Sequence, residues 1–333
     1  MLAQREHAGY PNVDLGGAAP VLDKNGKPLR GKAAPPYVEN GVIIGRFKFI
    51  KMIGGGGFGQ IYRVVHIEDG NLIAAGKIEP QGQDQGRMIL ECQVLVLMRG
   101  KHHFPTMYCS GDYGRFNFII MELLGRNLTD IRKRTRNKRM SVISTFKIGI
   151  QSTDAFETLH REGYVHRDIK PSNMCVGHAD RGNTVYLVDF GMARRFLNKN
   201  GNNFRPPRHY AAFRGTMRYV SIRVHERREQ TPTDDLISLY YTLIELCEGS
   251  LPWRLLTDHD EILTQKLRYD KHKLFMYTPK AMEEFYEHIN NLSYNEMPNY
   301  DKIREIFQKC LPYGVRCDDP FDWDEDVSSC YHD

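Results

Sequence analysis

Eight consecutive residues constrain this 333-residue chain more than any other stretch: His166-Arg167-Asp168-Ile169-Lys170-Pro171-Ser172-Asn173. Before them, Phe146, Ile150, Phe156 and Leu159 recur at helical spacing in a segment, Ser144 to His160, that stops near Gly163. After them comes the short apolar run Met174-Cys175-Val176, which reads as a strand. The eight residues must therefore form a polar loop between a helix and a strand, and their types suit one chemistry. Asp168 can accept the proton of an attacking alcohol, and Lys170 can neutralise a phosphoryl group in transfer. Asn173, five positions beyond the aspartate, can offer its carbonyl oxygen to magnesium.

Short motifs also arise by chance, so their company decides their weight. Asp189-Phe190-Gly191 follows the apolar run Val185 to Val188 and sets a second metal-binding carboxylate at the end of a predicted strand. Magnesium prefers hard oxygen ligands, so Asp189, Asn173 and nucleotide phosphates make a plausible shell. Upstream, Phe47 and Phe49 alternate as in a strand, and Ile53 opens the run Gly54-Gly55-Gly56-Gly57-Phe58-Gly59-Gln60-Ile61. A linker or a dinucleotide fingerprint carries similar glycines. A dinucleotide site needs a helix to start there, whereas Ile61, Tyr62, Val64, Val65 and Ile67 continue a strand. The prediction is a hairpin whose amides close over phosphates, with Phe58 at its tip.

After a turn at Asp69-Gly70-Asn71, the run Leu72 to Ile78 carries Lys77, expected to pair with the α- and β-phosphates. Glu91 is the only acid between residues 85 and 111 and sits in a helical pattern with Met88, Leu95 and Met98. A lone carboxylate on an apolar helix is costly unless paired, so Lys77 is its expected partner. Gly76, just before Lys77, predicts a locally weakened strand.

Phe116 to Leu124 reads as a buried strand that runs into Gly125-Arg126-Asn127, a crossover from a small lobe to a larger one. Backbone groups around Glu122 to Leu124 are expected to hold an adenine edge, with Met121 behind it and Cys175 beneath it as inert packing. Arg132 to Arg139 holds six basic residues in eight and reads as a solvated helix end and loop, ahead of a nuclear-import or polyanion-binding patch. Thr233-Asp234-Asp235 caps a helix running to Gly249 that is apolar around most of its circumference, which suits the middle of a lobe. There Asp235 either accepts backbone amides of the catalytic loop or serves as a simple cap.

Composition sets the outer bounds. Hydrophobic residues at 41% and charged residues at 26% are ordinary for a globular protein, and a net charge of +5 favours acidic partners without requiring nucleic acid. Seven cysteines without a C-x-x-C pair suggest a reducing compartment. No run has the length of a signal peptide core or a membrane helix, so an intracellular, cytoplasmic protein, with the nucleus as a second compartment, is expected. Residues 1 to 40, with five Gly and five Pro, read as a flexible arm, and the acidic stretch from Asp318 reads as loosely held.

Between Asp189 and Thr216 there is no serine, threonine or further acid, but Arg194, Arg195, Lys199, Arg205, Arg208 and Arg214 are present. Control by Ser/Thr phosphorylation of this segment is therefore not expected. Guanidinium groups beside a catalytic loop suit an acidic or phosphorylated substrate.

Taken in order over roughly residues 45 to 320, the glycine loop, Lys77, Glu91, His-Arg-Asp with Asn173, Asp-Phe-Gly and Asp235 resemble the eukaryotic protein kinases. Lys170 with Gly215-Thr216 resembles the serine/threonine type. Ser221-Ile222-Arg223 resembles the Ser-Ile-Asn of the casein kinase 1 superfamily, with Arg223 where Asn is usual. Arg205-Pro206-Pro207-Arg208, Phe213 to Thr216, Leu251-Pro252-Trp253-Arg254 and Asp319-Pro320-Phe321-Asp322-Trp323 look like its tau-tubulin kinase branch.

The resemblance implies an α+β, bilobal kinase fold: an N-lobe over 45–122, a hinge over 123–126, a helical C-lobe over 127–320 and an acidic tail over 321–333. It implies ATP with Mg2+ and transfer of the γ-phosphate to Ser or Thr of protein substrates. Asp168, Lys170, Asn173, Asp189, Lys77 and Glu91 take the catalytic places, with Asn173 and Asp189 on the metal. Ile53 to Ile61, Ala75, Lys77, Met121, Glu122, Leu124 and Cys175 surround the nucleotide. Arg214, Arg218 and Arg268 fall where that superfamily binds a substrate anion. A monomer with no membrane or nucleic-acid partner is expected.

Overall fold

The computed structural model describes residues 34–56, 59–82, 85–198, 200–201, 203–269, 276–321 and 323. The chain divides into two compact units. One takes the chain up to Gly100 together with Pro105–Leu124; the other takes Lys101–Phe104 and everything from Gly125 onward.

The first unit is a six-stranded antiparallel sheet with one helix. Its strands are β1 (Ile43–Ile44), β2 (Phe47–Gly55), β3 (Gln60–His66) and β4 (Ile73–Pro80). Helix α1 (Gln85–Leu97) follows, then β5 (Met107–Tyr113) and β6 (Phe116–Glu122), and the spatial order is β1-β2-β3-β4-β6-β5. Aromatic and β-branched residues at alternate positions drive this: Phe49, Tyr62, Val64, Ile78 and Ile120 are all wholly buried on one face. The predicted hairpin is present, with Gly54 opposite Ile61 and Gly55 opposite Gln60.

Gly76 does not weaken its strand, because β4 is paired on both sides, with Gly76 opposite Tyr62 and Ile120. A Cβ at Gly76 would stand 3.0 Å from both Phe49 Cζ and Val64 Cγ1, so the Phe49 ring occupies the space a larger residue would need.

The expected flexible arm extends too far along the sequence. Residues 1–33 lie outside the described residues, but Pro35 to Val38 are anchored in the sheet. Tyr37 N donates to Gln60 Oε1 (2.7 Å) and Tyr62 Oη (2.9 Å), and Gln60 Nε2 donates to Pro35 O (2.7 Å). The Tyr37 ring stacks on Phe116 at 5.3 Å and Val38 is buried. An apolar pair at the end of a Gly/Pro-rich stretch thus finds both a hydrophobic surface and partners for its amides.

The second unit is mainly helical. In order it comprises α2 (Leu128–Arg134), α3 (Val142–Arg161), β7 (Tyr164–Val165), β8 (Met174–Val176), β9 (Val185–Leu187) and β10 (Arg194–Arg195). Then come α4 (Ile222–His225), α5 (Pro232–Glu248), α6 (His259–Arg268), α7 (Ala281–Asn290) and α8 (Tyr300–Gln308). β7 pairs with β10 and β8 with β9, both antiparallel. α5 is buried over nearly its whole length, as its apolar circumference predicts. Its cap is not at Thr233: Thr231 and Asp234 form a reciprocal capping box with Pro232 in the first turn, and Gly249 closes the far end in the left-handed region.

Lys101–Phe104 belong to this unit rather than to the sheet unit. Leu187 N donates to His103 O (2.9 Å), His103 Nδ1 donates to Val185 O (2.7 Å), and Phe104 packs on Phe190. The acidic C-terminal stretch is also not loose where it is described. Lys147 of α3 donates to the Asp319 and Pro320 carbonyls and stands 4.6 Å from the Phe321 ring, which stacks on Trp323. Apolar and cation–π contacts outweigh the acidic composition here. Asp322 and residues 324–333 lie outside the described residues. No helix among those described is long and apolar enough to cross a membrane.

Candidate active site

In the sheet unit, Lys77 Nζ meets Glu91 Oε2 at 2.6 Å and Glu79 Oε1 at 3.3 Å, with both Lys77 and Glu91 buried. Of the other residues assigned to the nucleotide, Ile53, Gly54, Gly55, Gln60 and Ile61 lie on β2 and β3, and Gly56 N donates to Gly59 O at 2.9 Å to close the turn. Gly57 and Phe58 lie outside the described residues. Ala75 and Met121 are opposite one another on β4 and β6, Glu122 Oε2 accepts from Thr106 N, and Leu124 is the last residue of the unit.

In the helical unit the loop His166–Asn173 is drawn around Asp235. Its Oδ2 accepts from His166 N (2.7 Å) and its Oδ1 from Arg167 N (2.8 Å), which is the first of the two roles considered for this residue. His160 Nε2 donates to the same carboxylate at 3.0 Å, and Tyr300 Oη donates to His160 Nδ1 at 2.7 Å. Burial by itself would raise the Asp235 carboxyl, but His160, His166 and the amides hold it below the usual range, so it stays ionised. That anchoring allows Arg167 its left-handed backbone, φ 70°.

Asp168 is buried, and both its oxygens are engaged. Thr216 Oγ1 donates to Oδ1 at 2.7 Å, and Lys170 Nζ donates to Oδ2 at 2.7 Å. Asn173 Nδ2 donates to Asp168 O (2.9 Å) and Oδ2 (3.3 Å), which leaves Oδ1 of Asn173 as an oxygen donor. Val188 N donates to Asn173 O at 3.1 Å and His166 Nε2 donates to Val188 O at 3.1 Å, so Asp189 emerges next to this amide. Asp189 itself is left-handed, φ 66° and ψ 69°, a strained conformation for a non-glycine residue. A carboxamide oxygen and a carboxylate fit a hard divalent cation such as Mg2+.

Cys175 on β8 has its thiol pushed up to about 12 by burial and then by Asp130, so it remains uncharged packing. The segment after Asp189 places its arginines unevenly. Glu229 binds Arg208 through both oxygens (2.5 and 2.9 Å) and Arg194 at 2.9 Å. Arg167 is pulled down to about 10 by burial and then by the positive charges of Arg194, Arg214 and Arg208. The charge of Arg214 thus acts on Arg167 together with those of Arg194 and Arg208. Arg218 instead donates to Arg254 O (3.1 Å) near Glu245 (3.8 Å), and Arg268 is exposed in the last turn of α6.

A comparison with known families finds that residues 47–314 match the protein kinase domain. The chain belongs to the protein kinase family. It is 42% identical to a Caenorhabditis elegans protein named "Putative casein kinase I", over 85% of each chain. It is 35% identical to a Dictyostelium discoideum "Probable serine/threonine-protein kinase", over 88% of this chain and 59% of that one. It is also 30% identical to the C. elegans serine/threonine-protein kinase spe-6, over 84% and 75% respectively. The likeness to the casein kinase 1 superfamily, the bilobal fold with a sheet N-lobe and a helical C-lobe, and the serine/threonine kinase class all hold for this chain. Membership of the family implies ATP and magnesium.

Two parts of this kinase's site, Glu245 and Glu229, escaped the sequence reading, and a third, Arg223, was named without its partner. Glu245, 1% exposed in the last turn of α5, accepts from Tyr219 Oη and from Arg132 Nη2 (3.2 Å), so Arg132 is an internal partner and not part of a solvated basic patch. Glu229 was not singled out at all. Arg223, where the superfamily has Asn, keeps a bond to Asp234 Oδ1 (3.3 Å) beside Ser221 Oγ (2.6 Å). Each of these pairs spans a sequence distance that no local motif carries; the only cue was the rarity of acids among so many arginines.

Proposed function

We propose that this kinase phosphorylates Ser or Thr in proteins at acidic or already phosphorylated sites, and that its activation segment needs no phosphorylation of its own. One observation carries both points: Glu229 binds Arg194 and Arg208, and the positive charges of these two and of Arg214 act on Arg167 of the catalytic loop. That carboxylate supplies the fixed negative charge that would otherwise come from a phosphate, and the remaining positive charge favours an anionic substrate.

Asp168, held in place by Thr216 and Lys170, takes the proton of the acceptor hydroxyl, and Lys170 supplies positive charge for the transferring group. Asn173 Oδ1 and Asp189 are the oxygen donors for magnesium, and Lys77, oriented by Glu91, is the phosphate-binding lysine. Mg·ATP supplies the phosphoryl group and the metal charge that its departure requires. Ile53 to Ile61, Ala75, Met121, Glu122, Leu124 and Cys175 are the proposed nucleotide contacts. Arg214 is the anion contact best supported, because Arg218 is already partly neutralised by Glu245.

The test is phosphate transfer to matched peptides with and without a preplaced phosphate, by protein first treated with a phosphatase. Undiminished activity after that treatment and a preference for the phosphorylated peptide that Arg214→Ala reduces about tenfold are expected. Equal effects of Arg214→Ala on both peptides would remove the anion assignment, and loss of activity on phosphatase treatment would remove the unswitched segment.

A further inference from the structure

Lys266 lies in α6 with its side chain closed off from solvent, 6% exposed, and no carboxylate pairs with it among the described residues. Its ammonium instead meets three acceptors: Met217 O at 2.7 Å, Val220 O at 2.6 Å and His225 Nε2 at 3.2 Å. An ammonium has three N–H bonds, so its donors are all satisfied. The rings of Tyr241 and Trp253 stand 5.0 and 5.6 Å from the nitrogen and stabilise its charge from the sides. A lysine enclosed this way carries a desolvation cost, and burial does draw it well below its ordinary pKa. His225, whose Nε2 accepts from it, is held neutral by burial and by Lys266 itself, and its Nδ1 donates on to His259 Nε2 at 3.2 Å.

The two carbonyls belong to the short stretch Thr216–Val220, which turns back on itself through Tyr219 N and Val220 N donating to Thr216 O (2.8 and 3.2 Å). Two further bonds tie the stretch to α5 and to Trp253. Trp253 Nε1 donates to Arg218 O at 2.8 Å, and the Tyr219 hydroxyl donates to Glu245. Its leading edge faces the reaction. Thr216 donates to Asp168, and Gly215, φ 116°, passes so close to the catalytic loop that a Cβ there would stand 2.6 Å from Arg167 O. A substrate hydroxyl must come within about 3 Å of the Asp168 carboxylate. The residue beside it in the substrate is at most about 3.6 Å further along. Because Thr216 itself bonds that carboxylate, the stretch it begins is a surface within reach of that neighbouring residue.

We propose that Lys266 is a positioning residue for the protein substrate: by holding the Met217 and Val220 carbonyls, it fixes the surface beside Asp168 on which the polypeptide next to the acceptor hydroxyl rests. The proposal uses the kinase activity but not the preference for anionic sites.

Lys266→Met in the full chain tests it, because methionine keeps an unbranched apolar stem against Tyr241 and Trp253 while removing the donors. The KM for a Ser/Thr peptide is expected to rise about tenfold, while the KM for ATP and the slow transfer of phosphate to water stay within about twofold. In a peptide library, selectivity at the position adjoining the acceptor flattens, and Lys266→Arg, which can still donate to both carbonyls, recovers much of the loss. An unchanged peptide KM, or peptide and ATP KM values rising together, overturns the proposal. If Lys266→Met shows no cooperative melting, Lys266→Gln is read by the same ratio of KM values, with the same overturning results. Absence of transfer by the unaltered chain would strike at the kinase assignment and leave a distinct signature, since no variant would then differ from it.

Discussion

The hydroxyl of Thr216 donates to Oδ1 of Asp168 at 2.7 Å, across 48 residues of chain. With Lys170 on Oδ2, the carboxylate is fixed in plane and its two oxygens are distinguished. Thr216→Val preserves shape and removes the bond, leaving the Asp168 carboxylate held through Oδ2 alone. The kcat is expected to fall about 10- to 100-fold with the ATP KM unchanged, whereas Asp168→Asn abolishes transfer. Steady-state kinetics with both substrates varied check this; a Thr216→Val enzyme with full kcat would show that the bond does not orient the base.

Lys77 and Glu91 form a buried pair 2.6 Å apart, with Glu79 at 3.3 Å on the other side of the lysine. Removing one partner of a buried pair leaves an uncompensated charge, at a cost of about 3–5 kcal/mol, lowered here because Glu79 remains. Glu91→Gln should therefore lose stability by about 2 kcal/mol in denaturant titration and also lose activity. Lys77→Met combined with Glu91→Leu should regain only part of the stability, because buried Glu79 then loses its cation, and none of the activity. Recovery of phosphotransfer in the double variant would remove Lys77 from the phosphate site.

The parts of this protein that could be read from the sequence are those whose reason is local. Alternation at Phe47, Phe49, Tyr62 and Val64 specifies the hairpin, and the isolation of Glu91 on an apolar helix specifies its pairing. The role of Asp235 was legible only as one of two options, because a capping residue and a loop anchor have the same residue type; the Thr231 box resolves it. What could not be read depends on tertiary proximity. Gly76 looked like a weak point until the Phe49 ring filled its place, and Tyr37 looked like part of an arm until Gln60 and Tyr62 met its amide. Acidic composition near the C-terminus concealed how Phe321 and Trp323 are held: both are buried, stacked on each other, with Lys147 over the Phe321 ring.

His103 predicts how stability responds to acid. Burial lowers its pKa from 6.5 to about 4, opposed by its bond to Val185 O and aided by His102. The folded state thus binds this proton less readily than the unfolded one, so its contribution is fully present above pH 6.5 and is lost as pH falls toward 4. A shift of this size corresponds to about 3 kcal/mol at most. The unfolding free energy should decline over that window, and His103→Asn, which does not titrate there, should show a slope shallower by up to one proton. Parallel slopes in the two proteins would contradict the assignment.

Tyr62 links the segment before the sheet to the sheet itself. Its ring is wholly buried against Phe49, its hydroxyl donates to Gln60 Oε1 at 2.5 Å, and it accepts from the amides of Tyr37 (2.9 Å) and Val38 (3.2 Å). Tyr62→Phe keeps the ring packing but leaves two amides with one partner fewer, for an expected loss of about 1–2 kcal/mol. A chain begun at Gly41 is expected to be about 3 kcal/mol less stable than one begun at Ala34, because the Tyr37 ring leaves Phe116 and Val38 leaves the core. Because the same β3 strand carries Gln60 and Ile61 of the glycine hairpin, the shorter chain should also show a raised ATP KM. Denaturant melts and ATP titrations of the two truncations decide the matter: equal stability for chains begun at residues 34 and 41 would mean that Pro35 to Val38 rest on the sheet without supporting it.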